Sequence, residues 1–401
     1  MVKAIEEKKP TVNIGILETY GHIPLLHTFC KICKTKNTNI TVFTTKKLYN
    51  NLKTYITKSE EYNFVIKKQN ENFKTFLKRV EKICNNEIDL LFINTIKEFP
   101  NDLITYINFR PKTKTILTIH HVNTWLKSKL IFNMEKIRRT IQTNICSMLI
   151  PSFVLSKFDA INVIYPPLKE HIEKNMYYSN MVFKLPFSIY ENNGTKKKKK
   201  HDDKIKIVSP GIIKEHLKDY SDVIQAFEQI FKKYKSKIKL YILGNPADNY
   251  GKKIYNEFNK MKQKGYDVET FNGFIPEKTF NKILKESDLL LVPLKLKTRS
   301  NTEIEETYGL TVGSGVIFNA IQYAKPIIVP EEFNMIAELN SSTKKYKNGK
   351  ELEKHLTNLI SNKDELNNMN KEALNNAEKF SLRNQQDYFE KNILTWLKNG
   401  S

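Results

Sequence analysis

The chain is poor in cysteine, has no long apolar run and is short of acidic residues. Four cysteines occur, Cys30, Cys33, Cys84 and Cys146. Cys30 and Cys33 form a C-x-x-C, but inside an expected helix, and the other two lack metal-site spacing. Buried thiols in a reducing compartment fit this usage better than a disulfide framework or a zinc site. No stretch reaches the roughly 20 apolar residues needed to span a bilayer. The longest, residues 145–155, is interrupted by Pro151. The N-terminal MVKAIEEKKP has no apolar signal core. The expectation is a cytoplasmic protein, at most peripheral on the inner face of the cell membrane. Asp and Glu total 43 against 66 Lys and Arg, a formal charge of +23. Such a surplus favours anionic lipid, charged glycan or nucleic acid. Nucleic acid ranks last, because no recognised reading module accompanies the charge.

What is present supports packed cores. Hydrophobic residues make up 40% of the 401 positions, enough for two domains of ordinary size. Apolar strands alternate with helical patterns in the first half. Strands are expected at 11–17, 39–43, 88–93, 115–119, 159–165 and 181–185, with helices at 23–34, 46–57 and 71–84. This alternation predicts an α/β fold with a doubly wound parallel sheet. The stretch ENNGTKKKKKHDDK at 191–204 cannot pack into a core and reads as a basic linker. A second α/β unit follows, with strands at 204–209, 238–243 and 267–272 and helices at 219–234 and 254–264. The tail is helical over 350–360, 364–380 and 385–397. Between 125 and 149, apolar residues recur at helical spacing from Leu130 to Met148, flanked by Lys127, Lys129, Lys136, Arg138 and Arg139. Core packing accounts for that stripe most simply; docking on anionic lipid is the other reading.

The richest segment is 271–330. Asn272-Gly273 makes a turn before a short amphipathic helix with Phe280, Ile283 and Leu284. A strand follows and stops at Pro293. Next come a polar loop, Gly313-Ser314-Gly315 opening a second helix, and a strand over 326–330. The loop lies at the carboxyl end of a strand, where open α/β sheets bind ligands. The helix opening at Ser314 offers unpaired N–H groups and a positive dipole end to an anion such as a diphosphate.

This order resembles the donor-binding half of GT-B glycosyltransferases, in particular the retaining group 1 family. The matching pieces are Gly273-Phe274-Ile275, Ser287-Asp288, Pro293, Glu306 with Gly309, Asn319-Ala320 and Ala324-Lys325-Pro326. The resemblance implies two Rossmann-like doubly wound domains facing a cleft. The expected layout is an acceptor domain at 1–190, the linker 191–204, a donor domain at 205–375 and a returning helix at 376–401. It also implies a nucleotide-diphospho-sugar donor and a glycan or lipid-linked acceptor. No cofactor or metal is expected, since no Asp-x-Asp lies in a suitable loop.

On the donor side the resemblance places Lys218 on the family's lysine, with Lys214 as a substitute cation near the arginine slot, which falls at Ile212 or Ile213. Gly244, Phe274, Ile275, Ser314, Gly315 and Asn319 complete the donor set. Ser314 could both cap its helix and touch phosphate. Glu306, beside Glu303 and Glu305, is the catalytic acid candidate, and Asn319 stands where a second Glu is usual. His120, closing the strand TILTIHH, is the other catalytic candidate. Gly21, His22 and His121 are acceptor-side candidates, the Gly21-His22 turn through its backbone N–H groups. Two rivals stay open at this point: a GT-B-shaped sugar-nucleotide epimerase or hydrolase, and a degraded transferase acting as a binding or scaffold subunit.

Overall fold

The computed structural model describes residues 11–56, 62–127, 129–191, 204–299 and 302–399. They divide into two compact units. One takes the described residues within Met1–Phe187, Ser300–Ile304 and Leu382–Ser401; the other takes those within Ser188–Arg299 and Glu305–Ser381.

The first unit is built on seven strands: β1 (Val12–Glu18), β2 (Thr38–Thr44), β3 (Asn63–Ile66), β4 (Leu90–Ile93), β5 (Lys114–Ile119), β6 (Ala160–Val163) and β7 (Met181–Phe183). They form one parallel sheet in the order β3-β2-β1-β4-β5-β6-β7. The central strands are buried over most of their length, which is why they read as apolar runs rather than alternating ones. Strand order reverses between β1 and β4, so a crevice opens there at the carboxyl ends.

The second unit repeats the plan. Its strands β8 (Ile205–Pro210), β9 (Ile238–Leu243), β10 (Val268–Thr270), β11 (Leu289–Leu291), β14 (Ile327–Pro330) and β15 (Thr343–Tyr346) form a parallel sheet ordered β10-β9-β8-β11-β14-β15. The reversal falls between β8 and β11. The helices Ser221–Tyr234 and Gly349–Ser361 bury Val223, Phe227, Leu352 and Leu356 in one core with the β8 and β9 side chains.

Several elements differ from the sequence expectation. The polar loop after β11 contains an antiparallel hairpin, β12 (Lys297–Arg299) with β13 (Glu305–Thr307). Strands β3 and β15 and the helix Pro100–Ile107 were not legible: the strands are short sheet edges and the helix is a mixed-polarity stretch opened by proline. The expected helix over 125–149 is in fact a helix Val122–Leu126, a 3-10 turn Met134–Lys136 and a helix Ile137–Leu149. Its apolar stripe is not core: Met134, Ile137, Ile141 and Met148 are 54–65% exposed.

All four cysteines are buried and unpaired. Burial pushes the Cys30 and Cys33 thiols well up, and those of Cys84 and Cys146 to about 12. Reactive thiolates are therefore absent at neutral pH. Among the described residues no helix is long and apolar enough to cross a membrane. The lysine run lies outside the described residues.

Candidate functional site

The second unit carries the donor candidates. At the end of β8 the chain turns at Gly211, whose φ of +96° lies in the region glycine favours. The turn is pinned from both sides. Ile213 N–H donates to the Asn245 carbonyl (3.0 Å) beyond β9, and Asp219 N–H to the Pro293 carbonyl (2.9 Å) beyond β11. Gly244 follows β9 and packs directly on the Gly211 backbone: a Cβ built there would lie 2.0 Å from the Gly211 oxygen. Only glycine admits this approach of two strand ends. Gly211, Gly244 and Asn245 line a cleft of about 290 Å³ with Ile212, Phe274 and Ile275. Phe274 is 91% exposed, a free aromatic face at the cleft's edge.

Lys218 belongs to the same turn and is 3% exposed. Its Nζ donates to the carbonyls of Pro210 and Gly211 (3.1 Å to the latter) and to the Tyr220 hydroxyl (3.4 Å). No carboxylate appears among these partners. Burial therefore pushes its pKa down to about 7. An amine held without a counter-ion beside a glycine-lined cleft would be charged by a bound anion. Lys214 sits half-buried where the turn begins, its carbonyl accepting from Leu217 and Lys218.

Ser314 is the N-cap residue of the helix Gly315–Tyr323, but its hydroxyl makes no capping bond. The dual role expected for that hydroxyl is thus corrected: capping does not occupy it. A Cβ at Gly315 would meet nothing within 4 Å, so space lies open beside the first helical N–H. Asn319 is half-buried in the second turn of that helix.

The three acids separate in space. Glu305 is exposed and pairs with Lys297 at 3.1 Å. Glu303 packs within the first unit, its carboxylate meeting Lys136 (3.5 Å) and Arg139 (3.4 Å). Glu306 is fully buried in β13 opposite Thr298.

The first unit gathers His22, His120 and Gly21 at the β1/β4 reversal. His120 is half-buried and stacks on His22, ring centroids 4.8 Å apart at 17°. Its Nε2 lies 3.0 Å from the Asn94 carbonyl. A carbonyl only accepts, so Nε2 carries the proton. Burial, then the neighbouring His22, hold the His120 pKa well below the usual imidazole range. The Gly21 N–H, expected to meet phosphate, instead donates to Glu18 (3.3 Å), which also accepts from Tyr20 N–H (2.6 Å) and Thr95 (2.7 Å). A buried carboxylate at this turn disfavours an anion, which corrects that expectation.

His121 faces the other way in bonding terms: its Nδ1 is 3.0 Å from Glu98, which also accepts from Trp125 (3.1 Å). Burial alone would raise the Glu98 pKa, but His121 and these bonds hold it low. His121 thus anchors the helix Val122–Leu126. We therefore expect His120→Ala to cut turnover while nucleoside diphosphate affinity stays near wild type. His121→Ala should mainly lower the melting temperature, by the loss of a buried charge-assisted contact. Steady-state kinetics beside calorimetry and thermal unfolding separate the two; the reverse pattern would exchange their roles. Neither Glu18 nor Glu98 was singled out from sequence. A carboxylate ending β1 just before Gly21 was the one available signal.

Two Rossmann-like parallel-sheet units in succession, the second with a glycine-lined cleft at the carboxyl ends of β8 and β9, define the GT-B class. Residues 191–376 match the model of the family described as glycosyl transferases group 1. No curated protein matches. Similar solved structures share the fold. HepE of Anabaena in complex with UDP is 11% identical, with 96% of this chain and 100% of that one covered at a TM-score of 0.61. A trehalose 6-phosphate synthase from Burkholderia multivorans is 10% identical, with 98% of each chain covered at 0.57. A putative UDP-N-acetylglucosamine 2-epimerase from Listeria monocytogenes is 11% identical, covering 90% and 91% at 0.50.

Proposed function

We propose that the protein moves a hexosyl group from a nucleotide-diphospho-sugar to a hydroxyl of a glycan or lipid-linked acceptor, with retention. Lys218 carries this reading: a buried amine, free of any carboxylate partner, beside a cleft lined by Gly211 and Gly244. The match of 191–376 to group 1 glycosyltransferases and the UDP bound to HepE support the donor class.

In this reading Phe274 and Ile275 hold the base, while Lys218, Gly315 N–H and the Ser314 hydroxyl hold the diphosphate. Asn319 meets a ribose hydroxyl. The bond from the anomeric carbon to the diphosphate oxygen breaks with its electron pair going to that oxygen. The growing charge is met by Lys218 and the helix N-terminus. The acceptor hydroxyl attacks from the same face, and its proton passes to the departing diphosphate. No separate base is then required. Lys214 adds a second cation near the leaving group, Glu306 supports the sugar-side loop, and His120 orients the acceptor or the sugar. In this reading the reaction takes place in the cytoplasm.

A panel of nucleotide sugars with and without acceptor, followed by NMR of the products, tests this. Acceptor-dependent release of nucleoside diphosphate with an α-linked product from an α-linked donor supports it. Acceptor-independent inversion of a sugar centre would make the protein an epimerase. Stabilisation by nucleotide sugars without turnover of any would make it a binding subunit.

A further inference from the structure

The helix Ile137–Leu149 is amphipathic in the wrong sense for a core helix. Its buried face is small and polar: Thr140, Thr143, Cys146 and Ser147. Thr140 Oγ1 donates to the Asn133 carbonyl (3.1 Å) and Thr143 Oγ1 to the Arg139 carbonyl (2.8 Å). Its outward face is apolar. Ile137, Ile141, Ile145 and Met148 recur one turn apart, 38–64% exposed. The face continues beyond both helix ends, through Leu130 (71%) and Phe132 (86%) before it and Phe153 (51%) after it. Residues scattered singly on a surface need no explanation, but this concentration of exposed large apolar side chains between 130 and 153 does. The hydrophobic effect cannot stabilise this arrangement in water, so something apolar covers it.

The charge around the row says what. Between 127 and 157 stand Lys127, Lys129, Lys136, Arg138, Arg139 and Lys157 against Glu135 alone. Lys136 and Arg139 engage Glu303; Lys127, Lys129 and Arg138 are exposed beside the apolar row. A second copy of this chain would bring like charges together across a two-fold contact. An anionic bilayer instead offers hydrocarbon to the row and phosphate to its flanks. We infer that the 130–153 face of the first unit docks on anionic membrane, apolar side chains entering the headgroup region and the basic residues meeting lipid phosphate. This inference stands on the first unit alone and does not depend on the transfer reaction.

The test is sedimentation of the full chain with vesicles of phosphatidylcholine containing phosphatidylglycerol, beside pure phosphatidylcholine, with no nucleotide present. Wild type should bind the anionic vesicles at low salt, lose most binding at about 0.5 M salt, and bind neutral vesicles little. The triple variant Ile137→Ser/Ile141→Ser/Ile145→Ser should bind about tenfold less, and Lys127→Gln/Lys129→Gln/Arg138→Gln likewise. Both replace exposed groups, so the melting temperature should hold; the charge variant keeps the test valid should the serine variant unfold. Absence of binding at low salt, or binding that survives both variants, overturns the inference. So does a wild-type dimer in sedimentation velocity that the serine variant dissociates, which would make the occupant a second copy.

Discussion

Lys218→Met is expected to lower the transfer rate by about 10²- to 10³-fold and to weaken nucleoside diphosphate binding, the scale of losing one preorganised donor at a developing oxyanion. The side chain is buried, its hydrogen-bond partners are the neutral oxygens of Pro210, Gly211 and Tyr220, and its pKa stands near 7. A bound diphosphate would favour the ammonium, so binding above pH 7 must take up a proton. Affinity should fall by up to about tenfold per pH unit above 7 in wild type. Methionine fills similar space but cannot titrate, so the variant should bind weakly at all pH values without that slope. Stability carries the opposite sign. The folded pKa lies below the ordinary lysine value near 10.5, so the folded state binds fewer protons than the unfolded one between about 7 and 10.5. This group therefore makes wild type more stable as pH rises through that window, and the variant should lack the rise. Equal affinity and equal pH slopes in calorimetry of both proteins would remove Lys218 from the site.

The second large effect belongs to Gly244→Ala. A methyl at that position would lie 2.0 Å from the Gly211 oxygen and 2.6 Å from its carbon, both backbone atoms. A rotamer change cannot relieve such a contact. The two turns must part, which would loosen Ile213 N–H from the Asn245 carbonyl and shift the Gly211 carbonyl away from Lys218. Overpacking of this kind costs about 1–3 kcal/mol, and the upper end is expected against backbone. For a unit of this size that is a fall of about 6–10 °C in melting temperature, with loss of nucleotide binding. A variant melting with wild type and binding normally would mean that the turns are not held as described.

Much of the fold was legible because its signals are local. Strand β9 lies at Ile238–Leu243 as the apolar run indicated, and Gly273 marks a real turn. Edge elements were not legible, because β15 has one buried residue, Tyr346, and depends on pairing with β14. Glu98 met His121 and Trp125 across 23 and 27 residues, separations at which spacing carries no information. Helical periodicity located the 137–149 stripe but could not say which side faced the core. There the polar Thr-Thr-Cys-Ser face won the interior, because the Thr140 and Thr143 hydroxyls and the Cys146 thiol find carbonyl partners in Asn133, Arg139 and Glu98.

A nucleotide-sugar donor is expected to bind the second unit beside the Gly211–Gly244 cleft. A structure of the protein with UDP, or with whichever nucleoside diphosphate stabilises it most, tests this directly. Diphosphate oxygens are expected within about 3 Å of Lys218 Nζ and Gly315 N, with the base against Phe274 and Ile275. A diphosphate seated in the first unit beside His22 and His120, with the Gly211–Gly244 cleft empty, would contradict it.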